Sequence, residues 1–252
     1  LDVLCGTTMI SNKHKFVAGP WVGEFGFEVM CWQPFVRAYQ KKHGINNMVC
    51  RTRTGRDVLY SDFAEVEYFN PPGVPVSWGC ATSNREPYPL TDLDPRTFKG
   101  GWAEPRGEFI KFGSFSPEKR YDVLIHARAR RHRSECNWSQ ETWDELMGMG
   151  LGKVACIGSE RRALCLRGCA DLRGIPLSDL VNYMASSTLI VGPSSGPMHL
   201  ATLCGCPQVV WSNNKGTLGR YTWLWNPFSV KVATALSLNP SAEKVIEMIE
   251  SL

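Results

Sequence analysis

Two rhythms of apolar residues alternate along this chain. Short apolar runs read as strands at Lys15–Gly19, Asn47–Arg51, Glu65–Phe69, Tyr121–His126, Lys153–Ile157, Thr188–Gly192 and Pro207–Trp211. Between them lie stretches with helical spacing. Glu28–His43 is the first, closed by Gly44 as a residue suited to a left-handed cap. Ser139–Met149, a short Arg161–Arg167, Leu177 to Met184, Pro197–Leu203 and Ser241–Ser251 follow. In the last, Val245, Ile246, Met248 and Ile249 form the apolar face. Alternating strand and helix predicts an α/β protein whose mainly parallel sheets are covered on both faces. Ligands of such sheets bind beyond the carboxyl ends of the strands.

The alternation breaks between residues 71 and 118, which hold eight of the sixteen prolines. Proline cannot sit inside a long helix. This stretch reads as loops with short strands at Val74–Trp78 and Phe109–Phe112, ending in a connection near Pro117. Two Rossmann-like lobes with a cleft between them are expected, 1–118 and 119–252. The competing arrangement is one α/β domain with a long insertion.

Composition narrows the function classes. The 252 residues are 43% hydrophobic and 21% charged, with a net charge of +4. That is ordinary for a globular protein and too mildly basic to argue for nucleic acid. No run approaches the ~18 apolar residues of a membrane span. Leu1–Ser11 lacks a basic start followed by a long apolar stretch, so no secretory leader is read there. The ten cysteines are scattered. Cys165-x3-Cys169 and Cys204-x-Cys206 do not form paired knuckles, so structural zinc is not expected. Reduced thiols in a cytoplasmic protein are the expectation. The nine tryptophans, Trp223 and Trp225 among them, serve as core or line a sugar site, with core the commoner use.

Three stretches carry candidate chemistry. In Gly192-Pro193-Ser194-Ser195-Gly196 a strand hands over to a helix. The free N–H groups and dipole of a helix start favour an anion, and a phosphate is the natural guest. Gly196 would let the backbone approach it, with Ser194 and Ser195 adding hydroxyls. His199 shares the helical face of Ser195 and Gly196. The plainer alternative is an N-cap serine and a packed histidine. A second turn, Gly19 to Glu28, holds Gly23, Glu24, Gly26 and Glu28 at a helix mouth. It is not GxGxxG. Glu28 either complements the helix dipole or stands at the cleft as a general base. The third stretch, His126 to Arg133, places four arginines and two histidines at and beyond a strand end. Arg128 and Arg130 suit phosphate oxygens, because guanidinium binds them in a planar, bidentate way. A solvated loop or an RNA patch would show the same basic run.

From Asp122 onward the order of motifs resembles the heptosyltransferase-like glycosyltransferases, the ADP-heptose:lipopolysaccharide group. The corresponding pieces are LIHARAR, NWSQETWDEL, VACIGSE, PLSDLVNYMA and VGPSSGPMHLATLCGCPQVV, over about ninety residues. SSGPMHLA with the following GCP is the specific part. In the N-terminal lobe, Glu28 with Pro34 six residues later takes the place of the family's Asp and Pro, beside a loop carrying Gly23, Glu24 and Gly26. The resemblance implies a GT-B fold with a nucleotide sugar on the C-terminal lobe and a saccharide acceptor on the N-terminal lobe. It implies inverting, metal-independent transfer with Glu28 as base, and no cofactor beyond the donor. A lipopolysaccharide-type acceptor would bring peripheral association with a membrane. No nucleic acid partner is implied. A non-catalytic nucleotide-sugar module or an epimerase on the same fold are the alternatives. Two departures stand out. Ser194 replaces the family's Asp, which is placed near the donor sugar, and the N-terminal, acceptor-side lobe is short. His126-x-Arg128 is also similar to GDP-fucose-using fucosyltransferases, which leaves the nucleotide base open.

Overall fold

A computed structural model describes residues 15–70, 89–97, 107–131 and 134–252. The strand expected at Val74–Trp78 lies outside these residues, as do Cys5, Cys80, Trp78, Trp102, His132 and Arg133. The described chain builds two parallel sheets.

The first sheet has three strands, β1 (Phe16–Ala18), β2 (Met48–Thr52) and β3 (Glu65–Tyr68), in that order and all parallel. A helical run joins β1 to β2. It comprises α1 (Phe25–Phe27), a π-helical turn (Glu28–Trp32) and α2 (Gln33–His43). Gly44 closes it in the left-handed conformation, at φ 60°, as the sequence predicts. The helix begins at Phe25, three residues earlier than the spacing suggests, and this shift decides where its acids point.

The second sheet has six parallel strands: β4 (Val123–Ile125), β5 (Val154–Gly158), β6 (Ala170–Arg173), β7 (Leu189–Pro193), β8 (Gln208–Ser212) and β9 (Val232–Leu236). Their spatial order is β6-β5-β4-β7-β8-β9. Counted within this lobe the order is 3-2-1-4-5-6, the doubly wound arrangement whose strand order reverses between β4 and β7. The helices α3 (Gln140–Gly148) and α7 (Ala242–Glu250) cover one face through Trp143, Leu146, Val245 and Met248. On the other face lie α4 (Leu177–Ser186) and α5 (Gly196–Leu203), through Leu180, Met184, Leu200 and Leu203. Between β8 and β9 the chain adds α6 (Lys215–Gly219) and a π-helical turn, Arg220–Leu224.

Two expected elements differ. Arg161–Arg167 is not a helix. Ala163 forms a bridge with Arg128, and Leu164 N–H donates to the Ala127 carbonyl at 2.8 Å, so tertiary pairing overrides the local spacing. Phe109–Phe112 is extended but forms no strand. Its segment is pinned to helices instead, with Glu108 N–H on the Pro34 carbonyl and Phe112 N–H on that of Leu203. Strands β6 and β9 and the helix after β8 are additions to the sequence reading.

The two sheets share one hydrophobic cluster. Phe25, Val29 and Trp32 from the first helical run pack with Met198, Leu200 and Trp225 from the larger lobe. Six of the seven described tryptophans are buried, and Trp223 is exposed. Trp138, Trp143 and Trp211 form a core group with ring centroids 4.6 to 6.0 Å apart, Trp138 stacked on Trp211 and Trp143 tilted against both. The eight described cysteines are free thiols, five of them buried. Burial pushes the Cys31 and Cys50 thiols up to about 12. Among the described residues no helix is long and apolar enough to cross a membrane.

Candidate functional site

A cavity of about 420 Å³ lies at the carboxyl edge of the second sheet. It is lined by the residues that follow β4, β5, β7, β8 and β9, and from the other lobe by Glu24 to Phe27. It therefore opens where β4 and β7 diverge, facing the first helical run.

His126 ends β4 at this divergence. The neighbouring strands carry a glycine at or next to their ends, Gly158 closing β5 and Gly192 preceding the last residue of β7, and each makes room for it. A Cβ on Gly158 would stand 2.9 Å from His126 Cδ2, and one on Gly192 would stand 2.9 Å from the His126 carbonyl oxygen. Gly158 also holds φ +119°, a conformation that glycine adopts readily. The imidazole reaches across the divergence, with Nδ1 2.9 Å from Ser195 Oγ. Burial, with Arg130 and Arg128 adding to it, lowers His126 to about 3, so the ring is neutral at physiological pH.

Ser194, Ser195, Gly196 and His199 all line the cavity, but the turn is more occupied than the sequence suggests. Ser195 N–H donates to the Tyr221 hydroxyl at 3.0 Å, and Ser194 Oγ lies 3.0 Å from the same oxygen. Ser195 Oγ is turned to His126 and makes no N-cap bond. Gly196 lines the cavity and also serves a contact within the protein. A Cβ there would lie 2.9 Å from Phe25 Cδ1 and 3.3 Å from Gly26 N, so the missing side chain lets two helix starts abut. Gly26 matches it, for its Cβ would stand 3.0 Å from His199 Cδ2. Gly23 is buried and does not line the cavity. The His199 ring stacks on Tyr221 at 4.2 Å and meets Trp225 edge-on at 4.8 Å. Burial, then the charge of Arg220, lowers it to about 3. Its Nδ1 has no hydrogen-bond partner among the described residues.

Among the described residues four guanidinium groups line the cavity: Arg128, Arg130, Arg162 and Arg220. The first two are those expected from the sequence. Their loop is fixed by Asn137, which accepts from Arg130 N–H at 3.2 Å and donates to the Arg130 carbonyl at 2.8 Å. Arg162 follows β5 and is carried beside them, with its carbonyl accepting from Ala129 N–H at 2.8 Å. A basic residue just past a strand end was a usable signal for it. Arg220 lies over the rings of Phe27 (5.5 Å) and Trp225 (4.7 Å), and Phe27 meets Trp225 edge-on. This cluster joins the lobes, and its helix was not foreseen.

The two acids part company. Glu24, at the N-cap of α1, is exposed and is the one carboxylate among the described lining residues. Glu28 does not stand at the helix mouth, and it does not line the cavity. It is fully buried one turn further in, ion-paired with Arg56 and accepting from Thr52 Oγ1 at 3.0 Å and Tyr60 OH at 2.8 Å. With the helix starting at Phe25, Glu28 turns toward β2 and the core of its own lobe.

No family model matches the chain, and no curated protein matches it in sequence. Solved structures do. The glycosyl transferase family 9 protein from Veillonella parvula is 12% identical over 94% of this chain and 96% of that one, with a TM-score of 0.60. E. coli ADP-heptose lps heptosyltransferase II is 14% identical over 94% and 97%, with a TM-score of 0.56. The dodecameric iron-containing heptosyltransferase TibC, in complex with ADP-D-beta-D-heptose, is 17% identical over 80% of this chain, with a TM-score of 0.52. The chain spans 59% of the length of TibC. Its fold is thus α/β and GT-B-like, similar to that of heptosyltransferase structures.

Proposed function

We propose that this chain is a glycosyltransferase that moves a sugar from a nucleotide-diphosphate sugar to a hydroxyl of a saccharide acceptor. The observation that carries the reading is the cavity's charge pattern. Four arginines and one carboxylate face each other at the carboxyl edge of a doubly wound sheet. Arg128, Arg130 and Arg162 are placed to hold a diphosphate through charge-assisted hydrogen bonds. They would strengthen their hold as the nucleotide departs and its charge grows. Neutral His126 and Ser195 present a polar, uncharged floor between them.

Glu24 takes the role of base in this reading, in place of Glu28. It is exposed in the cavity on the lobe opposite the four arginines, where it would accept the proton of an attacking hydroxyl. Direct attack on the sugar carbon inverts it. The guanidinium groups supply the countercharge that a metal ion would otherwise bring, so transfer needs no metal and no cofactor beyond the donor. The acceptor would meet Phe27, Arg220 and Trp225, and a lipid-linked acceptor would hold the protein peripherally at a membrane. The lobe boundary falls near residue 118, and the setting is cytoplasmic.

A thermal-shift panel of ADP, GDP, UDP and CMP with their sugar conjugates, with and without EDTA, tests the reading. A ligand at about 100 times its Kd adds roughly 2.7 kcal/mol of stability. One nucleoside diphosphate is expected to give that rise, undiminished by EDTA. No rise with any of them would sink the donor assignment.

A further inference from the structure

The cavity's arginines reach it from two places. Arg128, Arg130 and Arg162 stand on two loops zipped to each other, with Ala129 N–H on the Arg162 carbonyl and Leu164 N–H on that of Ala127, each at 2.8 Å. Arg220 comes from elsewhere, the π-helical turn after β8. Among the described residues no carboxylate pairs with it, and its charge rests on rings. The guanidinium carbon lies 4.7 Å from the Trp225 centroid and 5.5 Å from that of Phe27. The two rings meet edge-on at 5.5 Å. Trp225 is buried in the larger lobe. Phe27 is the last residue of α1 in the smaller lobe, is half-buried, and lines the cavity itself.

A cation over a ring face is held by the negative face of the ring's quadrupole. That contact uses none of the guanidinium's five N–H donors, which stay available to an oxyanion. Binding is costly when a long side chain must be immobilised with the ligand. The rings do for Arg220 what backbone pairing does for the loop arginines, because they remove its freedom before the ligand arrives. We propose that Phe27 is a positioning residue for anion binding. It brings no charge to the anion and acts by holding Arg220 at the cavity. The smaller lobe thus contributes to donor affinity through a ring face, a role that rests on the cavity being a diphosphate site. The face matters here and the bulk does not, so an aliphatic side chain cannot take the place of the ring.

Calorimetric titration of the whole chain with inorganic pyrophosphate, in the presence of EDTA, tests the role. Phe27→Leu is expected to weaken binding about fivefold, the worth of a partly desolvated cation–π contact. Phe27→Met serves in its place if that variant does not fold. Phe27→Tyr and Phe27→Trp restore a ring face and are expected to restore wild-type affinity. In an Arg220→Met background Phe27→Leu should add nothing, whereas in an Arg128→Ala background it should still exact its full factor. A residue that merely props up the fold would show neither the aromatic rescue nor the dependence on Arg220. Wild-type affinity in the aliphatic variant, an equal loss in Phe27→Tyr, or a further loss in the Arg220→Met background would each overturn the proposal while the diphosphate site stands. If the wild-type protein takes up no pyrophosphate, the diphosphate site itself falls, and the role of Phe27 with it.

Discussion

The two glycine-bearing turns, one in each lobe, look alike in sequence and do different work. Each joins a parallel strand to a helix. In the larger lobe the turn after β7 meets the cavity, and its serines are already engaged by His126 and Tyr221. In the smaller lobe the turn after β1 divides its acids, with Glu24 at the cavity and Glu28 in the core. The glycines closest to the junction, Gly26 and Gly196, serve the same end, a close approach of two helix starts. Glycine at a strand-to-helix turn thus marks contact, and the contacting group here is protein.

The sharpest way to break this comparison is to exchange the roles of the two acids. Glu28→Gln sets an amide against the buried Arg56 guanidinium. Disrupting one member of a buried pair typically costs about 3–5 kcal/mol, so urea unfolding should show a loss of that size. A loss below ~1 kcal/mol would show that Glu28 is not an anchor, since that is what an exposed ion pair is worth. Glu24→Gln should leave stability and nucleotide affinity unchanged while sugar transfer falls about 10²–10⁴-fold, the usual contribution of a general base. Wild-type transfer in that variant would return the search for the base to other residues. The smallest effect belongs to the junction. Gly196→Ala gains helix propensity, yet its methyl would enter the Phe25 ring edge. Overpacking of this kind costs about 1–3 kcal/mol, and a stabilised variant would mean the helix starts are not in tight contact.

Much of the larger lobe was legible in the sequence. Its central strands β4, β5, β7 and β8 are buried on both faces and read as unbroken apolar runs. The edge strands were not legible. β6 is Ala-Asp-Leu-Arg and β9 is Val-Ala-Thr-Ala-Leu, both largely half-exposed, so neither shows a run or a clean alternation. Arg161–Arg167 carried helical spacing, but its backbone partners are Ala127 to Ala129, distant in sequence and invisible to a local window. In the cavity, Arg128, Arg130, Ser194, Ser195 and His199 could be named because they follow recognisable strand ends. Arg220 could not, since its helix was unread. Glu28 was misplaced because the helix starts at Phe25 and then passes through a π-helical turn, which changes the face on which each later residue falls.

A diphosphate held by the arginines at the carboxyl edge of the second sheet is the central element of the proposed transfer. Titration calorimetry of wild type and Arg128→Ala with the nucleoside diphosphate that stabilises the protein tests this directly. One site per chain is predicted, with affinity lowered about tenfold to hundredfold in the variant, the worth of a charge-assisted contact. Equal affinity in the two proteins would contradict it.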